Sequence, residues 1–128
     1  MTDAPHPPKI LIVEDSIVSA MLMEATINRK KPEFIVRVCQ TMRVGLEELE
    51  SFGPSLVILD LILPDSTAEE TLAALPRFKE KACVIVVSGD LEMEPAARRA
   101  GADDFMGKAL GGDVQPFIDR VNALVPRC

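Results

Sequence analysis

The chain has 128 residues, 48% of them hydrophobic and 27% charged, enough for one domain with its own core and too apolar for a disordered segment. A net charge of −6 argues against direct nucleic-acid binding, where affinity comes from Lys and Arg on phosphates. No apolar run approaches bilayer-spanning length, and Met1 to Lys9 lacks a signal-peptide core. Three cysteines without metal spacing (Cys39, Cys83, Cys128) read as reduced thiols of a cytoplasmic protein.

In chain order, residues 1–8 carry Pro5, Pro7 and Pro8 and read as a disordered tail, with His6 solvated in it; residues 9–128 form the folded domain. Ile10 to Val13 is a buried strand ending in Glu14-Asp15, and Ser16 caps a helix to about Arg29. Phe34 to Cys39 is a strand interrupted by Arg37; Thr41 then caps a helix that Gly53-Pro54 stops. Leu56 to Leu59 is an apolar strand that ends abruptly in Asp60. Thr67 and Glu70 have capping-box spacing, and Pro76 is expected to end the helix they start. Cys83 to Val87 is a strand closed by Ser88, and Pro95 opens a two-turn helix that Gly101 ends. Phe105-Met106 is a short last strand before Lys108, and Asp113 caps a final helix with Val114, Phe117, Ile118, Val121, Leu124 and Val125 on one stripe.

Five strands alternating with five helices predict an α/β three-layer (βα)5 fold around a central parallel sheet. The first, third and fourth strands are almost wholly apolar and suit central positions. The second carries Arg37, and the fifth is short and led in by Asp103-Asp104, so both suit edges. The flavodoxin-like order 2-1-3-4-5 satisfies this and puts the switch point between the strands ending at Asp15 and Asp60. Glu14, Asp15, Asp60, Ser88 and Lys108 then share the C-terminal rim of the sheet. Clustered carboxylates demand a cation, and an all-oxygen donor set favours Mg²⁺. Such a rim suits a phosphoryl group, with one carboxylate as nucleophile.

The runs Ile-Leu-Ile-Val-Glu14-Asp15-Ser, Val-Ile-Leu-Asp60-Leu-Ile-Leu-Pro64-Asp65, Ile-Val-Val-Ser88-Gly and Gly101-Ala-Asp-Asp-Phe105-Met-Gly-Lys108 resemble the receiver domain of two-component response regulators, the chemotaxis-regulator type included. The resemblance covers about Lys9 to Val125. It implies that Asp60 accepts phosphate from a histidine kinase or histidine phosphotransfer protein, and that the domain is no enzyme beyond Mg²⁺-dependent self-phosphorylation and slow autodephosphorylation. It implies Mg²⁺ ligation by Asp15, Asp60 and the main-chain carbonyl of Ile62, with Glu14 helping through water. Ser88 would hydrogen-bond the phosphoryl group, Lys108 would pair with it, and Phe105 matches the aromatic whose burial tracks Ser88. Readout would run through the face of the fourth helix, fifth strand and fifth helix, and two copies could pair there.

The chain also departs from the pattern. Ala109 replaces a common proline, Ala68 a common turn glycine, and the Ser88–Lys108 segment is short. The apolar Ile62 cannot hydrogen-bond an attacking water, which predicts a long-lived phosphoryl group, although Asp90 near the rim could act in either direction. The first helix carries Ile17, Val18, Met21, Leu22, Met23 and Ile27, more than one buried stripe needs. A wide core contact explains this slightly better than a docking face for a helical phosphodonor.

Taken singly, an acid at a strand end is usually solvated, Ser88 a turn cap, Lys108 a surface lysine and Phe105 edge packing; their convergence on one rim outweighs that. A haloacid-dehalogenase phosphatase needs an Asp where Ile62 stands, and a P-loop needs other glycine spacing and Ser/Thr at Ala109. A flavodoxin needs a phosphate loop where Glu14-Asp15 would repel phosphate. The remaining alternatives are a phosphate-independent pseudo-receiver and the amino-terminal receiver of a longer regulator.

Overall fold

A computed structural model describes residues 6–108 and 114–128. In chain order the elements are β1 (Lys9–Val13), α1 (Ile17–Lys30), β2 (Ile35–Cys39), α2 (Met42–Ser51), β3 (Leu56–Asp60), α3 (Ala68–Lys79), β4 (Cys83–Ser88), a 3₁₀ turn (Leu91–Met93) running into α4 (Glu94–Arg99), β5 (Asp104–Gly107), α5 (Gln115–Leu124) and a 3₁₀ turn (Val125–Arg127). The strands form one parallel sheet in the order β2-β1-β3-β4-β5, as the apolar character of the three central strands requires. The expected Asp113 cap and the Ala109 to Gly112 loop lie outside the described residues, as does the tail up to Pro5.

Alternation along the strands splits the core into two layers. Ile10, Ile12, Leu56, Ile58, Ile85 and Val87 face α1 and α5, where Ile27, Phe117, Ile118 and Val121 meet them. Leu11, Val13, Val57, Leu59, Val84 and Val86 face the other side, against Leu49, Leu75, Phe78, Ala97 and Phe105. Gly45 lets α2 approach this second layer closely, because a Cβ there would stand 3.1 Å from Val13 Cγ2 and press on it. The predicted caps form. Ser16 accepts from Ser19 N, Thr41 from Val44 N, and Thr67 with Glu70 makes the full capping box. Gly53 and Gly101 take positive φ where α2 and α4 end.

Three expectations change. Pro76 does not end α3; the helix continues to Lys79. Pro76 lies on the exposed side, where a lost helical bond costs least, and the buried Phe78 anchors the turn beyond it. The apolar residues of α1 do not share a wide core contact. Ile17, Val18 and Met21 are 58–63% exposed and Leu22 is exposed as well; Ile27 is buried and Met23 packs against the core. The cysteines are not three thiols, since Cys83 and Cys128 form a disulfide with Cα atoms 5.6 Å apart. Pairing them needs only that the chain after α5 return to the start of β4, a closeness that spacing in sequence does not reveal. Cys39 stays free and buried, and burial pushes its thiol up to about 12.

Candidate functional site: an acidic cleft at the sheet rim

Parallel strands end on one side, so β1, β3, β4 and β5 deliver Glu14, Asp60, Ser88 and Lys108 to a common rim. Side-chain oxygens of Glu14, Asp15 and Asp60 lie within 4.8 Å of one another. Asp60 is buried, and its two oxygens have different partners. The Ile62 amide donates to Oδ1 at 3.3 Å, and Lys108 Nζ donates to Oδ2 at 2.9 Å.

Glu14 is the deepest of the acids, only 1% exposed. The Ser16 amide donates to its Oε2 at 3.0 Å, and Lys108 Nζ donates to the same oxygen at 3.2 Å. Nζ stands closer to Oε1, at 2.9 Å, but off the hydrogen-bonding direction. Oε1 therefore has a charge beside it and no hydrogen bond, which is costly for a buried carboxylate. Burial pushes the Glu14 carboxyl up to about 7, reinforced by the Asp60 carboxylate alongside and opposed by Ser16 and Lys108. Burial works against the Lys108 ammonium as well, but its contacts with Asp60 and Glu14 win and hold its pKa above the ordinary lysine value. Asp15, by contrast, is exposed.

One ammonium thus serves two buried carboxylates with a third acid next to them, and a buried carboxylate oxygen lacks a hydrogen bond. A hard divalent cation fits this all-oxygen donor set. Glu14, assigned only an indirect role from the sequence, is in direct contact with Lys108.

The other residues singled out from the sequence have different surroundings. Ser88 Oγ accepts from the Asp90 amide at 3.0 Å, while the Ser88 carbonyl accepts from the Lys108 amide at 3.0 Å. Phe105 is buried among Val84, Val86 and Ala97. Ile62 is 65% exposed, while its main-chain amide is the donor to Asp60 Oδ1. The carboxylate of Asp90 is committed to the Glu92 amide at 3.0 Å.

Two contacts had no legible signal in the sequence. Asp65, in the loop after Asp60, accepts from Met42 N at 2.8 Å and Arg43 N at 2.9 Å, and so caps α2 from 22 and 23 residues away. Those amides lower its pKa. Leu91 leans over Gly107 so closely that a Cβ there would meet Leu91 Cδ2 at 2.6 Å. The Pro-Asp turn was visible in the sequence, but neither partner was.

The response regulator receiver domain family matches residues 10–115. The cell cycle response regulator CtrA of Brucella ovis is 30% identical over 93% of this chain, and this chain spans about half the length of that relative. Among solved structures, the signal receiver domain of a response regulator from Bermanella marisrubri is 27% identical, covers 93% of this chain and 98% of its own, and superposes with a TM-score of 0.79. A receiver domain protein from Methanospirillum hungatei shares the fold at 22% identity and a TM-score of 0.80, covering 94% of this chain and 95% of its own. A match over residues 10–115, most of the folded part of the chain, places this chain in the response regulator receiver domain family.

Proposed function

We propose that the domain is a phosphorylation-dependent switch in two-component signalling, with Asp60 as the phosphoacceptor and a histidine kinase or histidine phosphotransfer protein as donor. The observation that carries this reading is the meeting of Asp60 with Glu14, Asp15 and Lys108 in one cleft. An Asp60 oxygen attacks the incoming phosphorus, the bond to the donor breaks, and an acyl phosphate forms. The Ile62 amide and Lys108 fix the attacking carboxylate before the donor arrives, and Lys108 neutralises charge on the transferred group. Asp15 and Asp60, the Ile62 carbonyl and, through water, Glu14 would hold Mg²⁺, which supplies charge neutralisation on the phosphoryl oxygens. In support, a Thermotoga maritima response regulator of the same fold, 19% identical, was solved in complex with Mg²⁺-BeF.

Ser88 is the movable piece. To reach the phosphoryl group its hydroxyl gives up the Asp90 amide, and the loop into α4 repacks around Phe105 as a population shift. A partner reads that change on the α4–β5–α5 face, where Arg98 and Arg120 both grip Asp104; pairing of two copies there is one form of readout. The donor docks on α1, whose exposed Ile17, Val18, Met21 and Leu22 have no partner within the chain's core. This assigns residues 9–128 to the switch, working in the cytoplasm without direct nucleic-acid contact.

Acetyl phosphate with Mg²⁺ is expected to add one phosphate to the wild type and none to Asp60→Asn; equal labelling of both overturns the assignment. Phosphate on the wild type is expected to last minutes or longer, because the exposed Ile62 offers an attacking water no hydrogen bond and Asp90 is committed elsewhere. Decay within seconds counts against that. Met21→Glu should slow transfer from a protein donor and leave acetyl phosphate labelling alone; Met23, packed on the core, cannot make this test.

A further inference from the structure

The Cys83–Cys128 disulfide lies far from the acidic cleft. Cys83 opens β4 and Ser88 ends it, so the bond sits at the opposite end of the sheet from Asp60. It spans 45 residues of sequence and closes a covalent loop around β4, α4, β5 and α5. Cys83 is half-buried and Cys128 exposed, so a thiol arriving from solvent reaches the Cys128 sulfur first. Beside that sulfur is a cavity of about 400 Å³, lined by His6, Lys9, Gly53, Val125 and Cys128 among others. Lys9 Nζ donates to the Phe52 carbonyl at 3.3 Å, and no described carboxylate pairs with it. A cavity lined by a lysine that contacts the Phe52 carbonyl and ring, and has no carboxylate partner among the described residues, thus adjoins an exposed disulfide. Disulfides of proteins in reducing compartments are usually transient or sensing rather than structural.

We infer that Cys83–Cys128 is a thiol-exchangeable latch, and that the cavity beside it admits an anionic low-molecular-weight thiol of the glutathione class. The thiolate attacks Cys128 Sγ, the Sγ–Sγ bond breaks, and Cys83 leaves as a thiolate that takes up a proton. A second thiol attacks the mixed disulfide and frees Cys128. The net change is two small thiols oxidised to their disulfide and one protein disulfide reduced to two thiols. Opening the latch releases the 125–127 turn and the end of α5 from the sheet. Cys39 does not compete, because burial holds its thiol protonated.

The test uses the whole chain under native conditions in mixtures of reduced and oxidised glutathione, quenched, denatured and alkylated. Oxidising mixtures are expected to leave one alkylatable cysteine and reducing ones three, while Cys128→Ser shows two throughout. Lys9→Gln is expected to slow reduction by glutathione about fivefold, the effect of one nearby surface charge, and to slow reduction by dithiothreitol, whose attacking thiolate carries no carboxylates, distinctly less. Hydrogen exchange across 115–128 should rise on reduction. Three alkylatable cysteines at every ratio overturns the latch, unchanged exchange overturns its hold on α5, and equal slowing with both reductants overturns the anion-binding cavity. None of these outcomes depends on phosphorylation of Asp60.

Discussion

Each end of the sheet holds a lysine against an aspartate, and the two pairs behave differently. Near the strand starts, Lys79 contacts Asp103 Oδ2, which also accepts from the Val84 amide at 2.8 Å. That is one cation for one carboxylate, with a backbone donor completing it, and it ties α3, β4 and the approach to β5 together. At the strand ends, Lys108 faces Asp60 and Glu14 together, Asp15 stands close by, and one Glu14 oxygen has no hydrogen bond. The lower pair is balanced and the upper cluster has an excess of negative charge. The same residue types therefore make a strut at one end and a candidate binding site at the other, and the ratio of acids to cations separates them.

Removing the cation from each pair is the strongest way to break this contrast. Lys108→Met should cut phosphate uptake from acetyl phosphate more than tenfold while tightening Mg²⁺ about tenfold or more by calorimetry, since a repelling charge is gone; unchanged Mg²⁺ affinity removes the charge-excess account. Mg²⁺ at a hundred times its dissociation constant should stabilise the wild type by about 2.7 kcal/mol in thermal melts, and Asp15→Asn should shrink that gain. At the lower end, Asp103→Ala should cost about 2 kcal/mol, because Val84 N–H and Lys79 lose their acceptor, with Mg²⁺ binding unaffected. Lys79→Met should cost about 1 kcal/mol or less in the same melts.

The smallest effect lies beside the acidic cluster, in the loop after Asp60. The Asp65 carboxyl has a lowered pKa in the folded chain, so its contribution is present above the unfolded pKa and is lost as pH falls through the folded value. The stability difference between wild type and Asp65→Ala should be constant at neutral pH and shrink below about pH 4. A gap independent of pH would mean that the amide contacts contribute nothing.

What was legible in the sequence followed from periodicity and end chemistry. Unbroken apolar runs fixed the central strands, Arg37 marked an edge, and Ser16, Thr41 and Thr67 marked helix starts, because each of these signals is local. The convergence of Glu14, Asp15, Asp60 and Lys108 was legible because strand parity and strand order together determine the rim. Pro76 misled because a helix tolerates proline when the lost bond faces water and a buried Phe78 follows. The exposed face of α1 stayed ambiguous because composition says how much is apolar, not how much the neighbours cover. The Cys83–Cys128 bond and the Asp65 contacts depend on distances between segments far apart in sequence, and no local pattern encodes those.

Asp65 has a mechanical consequence. It follows Asp60 by five residues and carries both first amides of α2. The loop leaving the acidic cleft is therefore not free to travel alone. Any displacement of it either drags the start of α2 along or strips two donors of their acceptor, and the second course gives up the helix's N-terminal cap. A disturbance at Asp60 thus reaches the β2–α2 side of the molecule by traction through a two-stranded tether, on the flank opposite to α4.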